Sequence, residues 1–121
     1  MPPWIIPGPF LAEFHTDERC FITEHLNLPE SPEASLALAR VPSGVTTRLH
    51  AVEDTIERYL ILKGTGLMEV GGETAPVAIG DRVIIPAGVP QRITNTGDTD
   101  LEFYCLCTPR FRPEAYVDLE A

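Results

Sequence analysis

The sequence predicts an all-β fold, a small barrel of short strands. Two observations carry this. Apolar and polar residues alternate over runs of roughly four to eight residues, the period of a half-buried strand. Turn residues interrupt those runs at short, even spacing, at Pro42-Ser43-Gly44, Lys63-Gly64, Gly71-Gly72, Gly80-Asp81 and Thr96-Gly97-Asp98.

Taken in order, residues 1–11 hold Pro2, Pro3, Pro7 and Pro9 among large apolar side chains. Proline lacks a backbone donor, so this segment reads as an extended arm lying across the barrel or a partner subunit. Glu13–His15 and Arg19–His25 read as two short strands, and Pro29–Pro32 as a loop. Ser35–Val41 alternates and ends at Pro42. Strands then follow over Thr46–His50, Glu57–Leu62, Gly66–Val70, Thr74–Ala78, Val83–Ile85, Gln91–Asn95 and Leu101–Cys107. Gly71-Gly72 is a two-residue hairpin turn. In the tail, 108–121, Glu114–Leu119 reads as one helical turn behind Pro113. No internal repeat occurs, and 121 residues make one domain, 1–121.

Nine Lys and Arg stand against 18 Asp and Glu, a net charge of −9. With no basic block, nucleic acid and anionic membrane surfaces are excluded as partners. The first residues lack a positive flank and an unbroken apolar core, and no later stretch is long enough to span a bilayer. Three cysteines do not make a disulfide framework. Cys105 and Cys107, two apart on one strand, put their Cα atoms about 6.6 Å apart with parallel side chains, which suits a bridge poorly. They read as small core residues. The expected location is the cytoplasm.

The most informative stretch is 44–95. Gly44, His50, Glu57 and Gly64 form one spaced set, and Gly80, Pro86, Gly88 and Asn95 a second. The pattern resembles the two signature motifs of the cupin family. Val52 stands where the first motif has its second histidine, and Gln91 where the second motif has its own. The resemblance implies a cupin-type β-barrel, a double-stranded jelly roll with one motif pair. It also implies a divalent metal. Carried over residue by residue, His50 and Glu57 keep ligand types, Gln91 offers an amide oxygen, and Val52 donates nothing. That set suits Fe, Mn, Zn or Ni. Isomerase, dioxygenase, decarboxylase or lyase chemistry is implied in the same way. The alternative is a non-catalytic small-molecule-binding or structural cupin without metal.

Side chains alternate across a strand. If His50 points inward, so do Arg48 and Thr46; Glu57 brings Tyr59 and Ile61, and Gln91 brings Ile93. On the last strand Leu101, Phe103, Cys105 and Cys107 face in. The cavity then has apolar walls and a polar cluster of Arg48, His50, Glu57, Tyr59 and Gln91, the make-up of a small-molecule pocket. A buried Glu57 is costly unless it is paired or bound to metal. Arg48 can pair with it. A guanidinium inside a barrel needs an anion, which is Glu57 or a ligand's carboxylate or phosphate. The expected ligand is therefore a small anionic molecule, with Arg48 and Tyr59 as the catalytic candidates. Leu60 and Leu62 point outward, and the arm from Trp4 to Phe10 adds apolar area, so a homodimer is expected.

Overall fold

The computed structural model describes residues 2–9 and 11–121; Met1 and Phe10, both in the arm, lie outside the described residues. The strands are β1 (Phe14–His15), β2 (Phe21–Leu26), β3 (Ser35–Val41), β4 (His50–Val52), β5 (Ile56–Lys63) and β6 (Thr65–Val70). They continue with β7 (Glu73–Ala78), β8 (Arg82–Ile85), β9 (Gln91–Asn95), β10 (Leu101–Thr108) and β11 (Tyr116–Asp118). One sheet runs β1-β2-β3-β10-β5-β8 and the other β11-β4-β9-β6-β7. Each strand pairing is antiparallel. This is the two-sheet jelly roll that the resemblance to the cupin family implies, built from the short strands that the turn spacing predicts.

The inward parity holds where strands are regular. Glu57, Tyr59 and Ile61 are buried on β5, and Leu101, Phe103 and Cys107 on β10. Gln91, Ile93 and Asn95 are buried on β9 of the facing sheet. Ile61, Ile85, Ile93 and Leu101 make the apolar centre, and Tyr59 stacks on Phe103 with ring centroids 4.3 Å apart.

Two turns show why these strands end where they do. Val70 pairs with Glu73, so β6 and β7 are joined by Gly71 and Gly72 alone, with φ of +59° and +84°. Two successive positive φ values give the hairpin turn whose twist matches the strands. At Gly64, φ is +85° and an added Cβ would lie 2.8 Å from the Asp100 carbonyl oxygen, so no side chain fits. Asn95 is the corner staple of β9. Its Nδ2 donates to the carbonyls of Val41 (2.9 Å) and Thr99 (2.7 Å), and its Oδ1 accepts from the Gly97 amide (2.9 Å).

Two expectations are corrected. Thr46–His50 is not a strand: Thr46 makes a single bridge to Thr94, and β4 starts at His50. Thr47 is the reason. Its hydroxyl accepts from the Ile93 amide (2.9 Å) and its amide donates to the Ile93 carbonyl (2.9 Å), so a side chain takes a place in the ladder. Thr47 and His50 are therefore the buried residues here, three apart, and Thr46 turns to Thr94 (2.8 Å between hydroxyls). In the tail, the helical turn is only the 3-10 turn Pro113–Ala115. Tyr116–Asp118 continues as a strand, because it finds β4 to pair with, Tyr116 opposite Val52 and Asp118 opposite His50. The arm, 2–9 and Leu11, stays exposed, with Trp4 80% accessible. Ile6–Pro9 and Leu11 border a shallow cleft with Glu24–Leu28. No helix is long and apolar enough to cross a membrane among the described residues.

Candidate functional site

A cavity of about 470 Å³ opens into the barrel, within the range of small-molecule sites. Ile22, Leu26, Ala37, Ala39 and Phe103 supply apolar lining. Asp17, Glu18, Glu24, Glu57 and Asp118 supply acidic lining, with Arg48 as the one lysine or arginine beside them among the described residues. The pocket is thus mostly apolar in wall and negative in charge.

The structure brings together most of the polar cluster read from the sequence. Glu57 on β5 faces Gln91 on β9 across the gap between the sheets, and Gln91 donates from Nε2 to Glu57 Oε1. The Tyr59 hydroxyl donates to Gln91 Oε1 at 2.7 Å. His50 lies opposite Gln91 in the β4–β9 register. Its Nδ1 is 2.8 Å from the Arg48 carbonyl oxygen. A carbonyl only accepts, so Nδ1 carries a proton, and in the neutral imidazole the lone pair is then on Nε2. The Tyr116 ring stacks on the imidazole, centroids 4.9 Å apart and planes 16° from parallel. Glu57 and Tyr59 line the cavity; His50 and Gln91 are buried and do not.

Arg48 departs from its expected role. It lines the cavity, but its Nε donates to both Asp118 oxygens, at 2.9 and 2.8 Å. The counter-ion is a residue of β11 and not Glu57, and β11 was hidden because the tail read as a helical turn. Asp118 holds the guanidinium above its usual pKa, and Arg48 holds the Asp118 carboxyl below its own.

Two groups escaped the sequence reading. Glu18, in the turn before β2, brings Oε2 to 3.8 Å from His50 Nδ1. Burial pushes its carboxyl up to about 7. Nothing in the sequence marks it, since the contact joins residues 32 apart. Cys105 and Cys107 are the second group. The parity that put them inside is correct, but the order of strands also sets them beside Glu57, with Cys107 opposite Glu57 and Cys105 opposite Tyr59. Cys105 Sγ donates to Glu57 Oε2 at 3.2 Å, and Cys107 Sγ is 3.8 Å from the same oxygen. Burial raises the Glu57 pKa, against the lowering effect of the Cys105 hydrogen bond and of His50. The Cys105 thiol is raised by its hydrogen bond with Cys107 and by burial.

The side chains fit the family's divalent ion in part. His50 has the tautomer of a metal ligand, with the distal ring N–H on a backbone carbonyl. Glu57 is a buried carboxylate without a salt-bridge partner among the described residues. Gln91 donates its amide nitrogen to Glu57 and its oxygen accepts from Tyr59, which leaves that oxygen one lone pair for an ion. Val52 is buried and offers no donor.

Comparisons with known proteins bear on the family and the fold. Two curated relatives are an uncharacterized protein of Methanocaldococcus jannaschii and an oxalate-binding protein of Thermotoga maritima. The first is 38% identical over 96 residues, 79% of this chain and 77% of that protein. The second is 39% identical over 67 residues, and the match spans little more than half of each protein, 55%. Among solved structures, a predicted oxalate decarboxylase of Thermotoga maritima superposes with a TM-score of 0.70 at 29% identity, covering 81% of this chain and 90% of that one. Pac13, a nucleoside dehydratase from Streptomyces, superposes with a TM-score of 0.78 at 14% identity, over 94% and 92% of the two chains. That last likeness speaks for the fold alone. Residues 37–107, more than half of the chain, match the family model described as a cupin domain, and with the two-sheet barrel and the motif residues at its centre this chain belongs to the cupin family.

Proposed function

We propose that this cupin binds a small organic acid in the barrel cavity with the help of a divalent metal carried by Glu57 and His50, with Gln91 as the third donor. One observation carries the reading: Arg48, the only lysine or arginine lining the cavity among the described residues, is already neutralised by Asp118, and the other charged lining residues are acidic. An anion entering such a pocket needs a cation there, and the buried carboxylate of Glu57 with the lone pair of His50 Nε2 is where the chain can hold one. The metal, when bound, supplies positive charge and an open coordination position for an oxygen of the ligand. The chain's own residues do the rest. Tyr59 holds Gln91, the Arg48 carbonyl orients His50, and the apolar wall excludes water from the ligand's carbon skeleton. The relative named for oxalate binding supports a small carboxylate as the ligand class. Any isomerase, dioxygenase or decarboxylase activity would use this same cavity.

The test is calorimetric titration of oxalate into the protein with Mn²⁺ or Zn²⁺ and after chelation. Binding should require the metal and be lost in His50→Ala. Oxalate binding that survives chelation, or that is absent with every metal tried, overturns the proposal.

The outer face of the six-stranded sheet supports a homodimer. Leu60 and Leu62 on β5, Ile84 on β8 and Leu106 on β10 are all exposed there, an apolar surface that a second copy would cover.

A further inference from the structure

We propose that Cys105, Cys107 and Glu57 together form a site for a thiophilic divalent ion of the zinc class, opening onto the barrel cavity. This rests on the reading that Glu57 carries a divalent ion, and it changes which side chains accompany the carboxylate.

Three atoms define the site. Cys105 Sγ and Cys107 Sγ are 3.7 Å apart, and Glu57 Oε2 is 3.2 Å from the first and 3.8 Å from the second. Zinc binds sulfur at about 2.3 Å and carboxylate oxygen at about 2.1 Å, in a tetrahedron. Two sulfurs on such an ion lie about 3.8 Å apart, and a sulfur and an oxygen about 3.6 Å apart. The triangle already present therefore comes within about 0.4 Å, on every edge, of one face of a zinc tetrahedron.

The placement comes from strand geometry. Positions 105 and 107 share the inner face of β10, and the β10–β5 register sets Cys107 against Glu57. No loop has to close for the ligands to meet. All three residues line the cavity, so a fourth position facing it is open to water or a ligand oxygen, the pattern of zinc sites that do more than hold a fold together. Chemistry also favours the assignment. Where the family motifs have two imidazoles, this chain has Val52 and Gln91; two sulfurs on the neighbouring strand bring the count of donors back up, and they are soft donors that select zinc over magnesium or calcium. Binding replaces one proton on each thiol, so each ion taken up releases two protons and nothing is oxidised or reduced.

Titration of the reduced, metal-free full chain with Co²⁺ tests this, since cobalt reports its ligands by absorption. An intense near-ultraviolet sulfur-to-cobalt charge-transfer band is expected, displaced by Zn²⁺ and unaffected by excess Mg²⁺. The isosteric variants Cys105→Ser and Cys107→Ser should each weaken Zn²⁺ binding at least about 100-fold, the upper end of what losing a mere outer-shell partner costs. Circular dichroism of both variants checks the fold. Cobalt bound without the band, with affinity unchanged in Cys105→Ser/Cys107→Ser but lost in His50→Ala, overturns the thiolate assignment and leaves the previous section's reading standing. No binding of Co²⁺ or Zn²⁺ overturns the thiolate site, and no binding of Mn²⁺ either overturns both.

Discussion

Gln91 on β9 and Glu57 on β5 are joined by a side-chain hydrogen bond that crosses from one sheet to the other. With Tyr59 donating to the same amide, one side chain satisfies two buried polar groups. Gln91→Leu should therefore cost about 2–4 kcal/mol, because it leaves Glu57 Oε1 and the Tyr59 hydroxyl without these partners, each worth about 1–3 kcal/mol when buried unsatisfied. Urea unfolding measures this. A loss under about 0.5 kcal/mol, the scale of a surface change, would mean that the bridge does not form. Gln91→His exchanges the amide for an imidazole, a better donor, and should raise metal affinity.

Glu18 ties stability to pH. Its folded pKa of about 7 lies above the ordinary carboxylate value of 4.5. Between those values the folded chain holds a proton that the unfolded chain has released, so stability falls as pH rises through that window and levels off above it. The loss should be roughly 1–3 kcal/mol in metal-free protein, the upper figure following from the size of the shift. Glu18→Gln should flatten the profile from pH 4.5 to 7. An unchanged slope in the variant would assign the dependence to other groups.

Arg48 and Asp118 make opposite predictions for ligand binding. Arg48→Ala should leave bound metal in place and weaken oxalate binding, since it leaves Asp118 as an unpaired negative charge on the cavity wall. Asp118→Asn frees the guanidinium and should tighten oxalate binding by up to about fivefold, the scale of a half-exposed ion pair. Calorimetry on both variants decides. Weaker binding in Asp118→Asn would show that the pair acts by holding β11 in place.

The outer sheet face can be tested alone. Leu60→Lys puts a charge among Leu62, Ile84 and Leu106 and should convert a dimer to a monomer in light scattering, with circular dichroism unchanged. A wild-type chain that is monomeric at micromolar concentration refutes the dimer.

The sequence was legible wherever backbone pairing alone decided the structure. Ser35–Val41 agrees to the residue because its alternation is uninterrupted and Pro42 ends it. Gly71-Gly72 is equally plain, since few residues tolerate two positive φ values. Reading failed where a side chain replaced the backbone in the ladder. The Thr47 hydroxyl does so before β4, which moves the buried positions to Thr47 and His50 and breaks the parity argument that had placed Thr46 inside. It failed again where partners are far apart in the chain. Neither the Asp118 counter-ion of Arg48, 70 residues away, nor the Glu18 carboxylate beside His50 has a local signature. Cys105 and Cys107 lie between these cases: their shared face was readable, but their nearness to Glu57 depends on β10 lying next to β5.

The cavity draws on two kinds of sequence. Glu57, Tyr59, Phe103 and Cys105 come from the matched segment 37–107, whereas Glu18, Ile22, Phe111, Tyr116 and Asp118 come from outside it, before and after. Division of labour follows. The middle of the chain builds the frame and the donors at its heart, while the two flanks complete the cavity's lining. Replacing a flank residue such as Phe111 leaves every hydrogen bond around Glu57 untouched. Related barrels can thus diverge in what they admit by editing their ends, without paying any toll in the core that keeps the two sheets together.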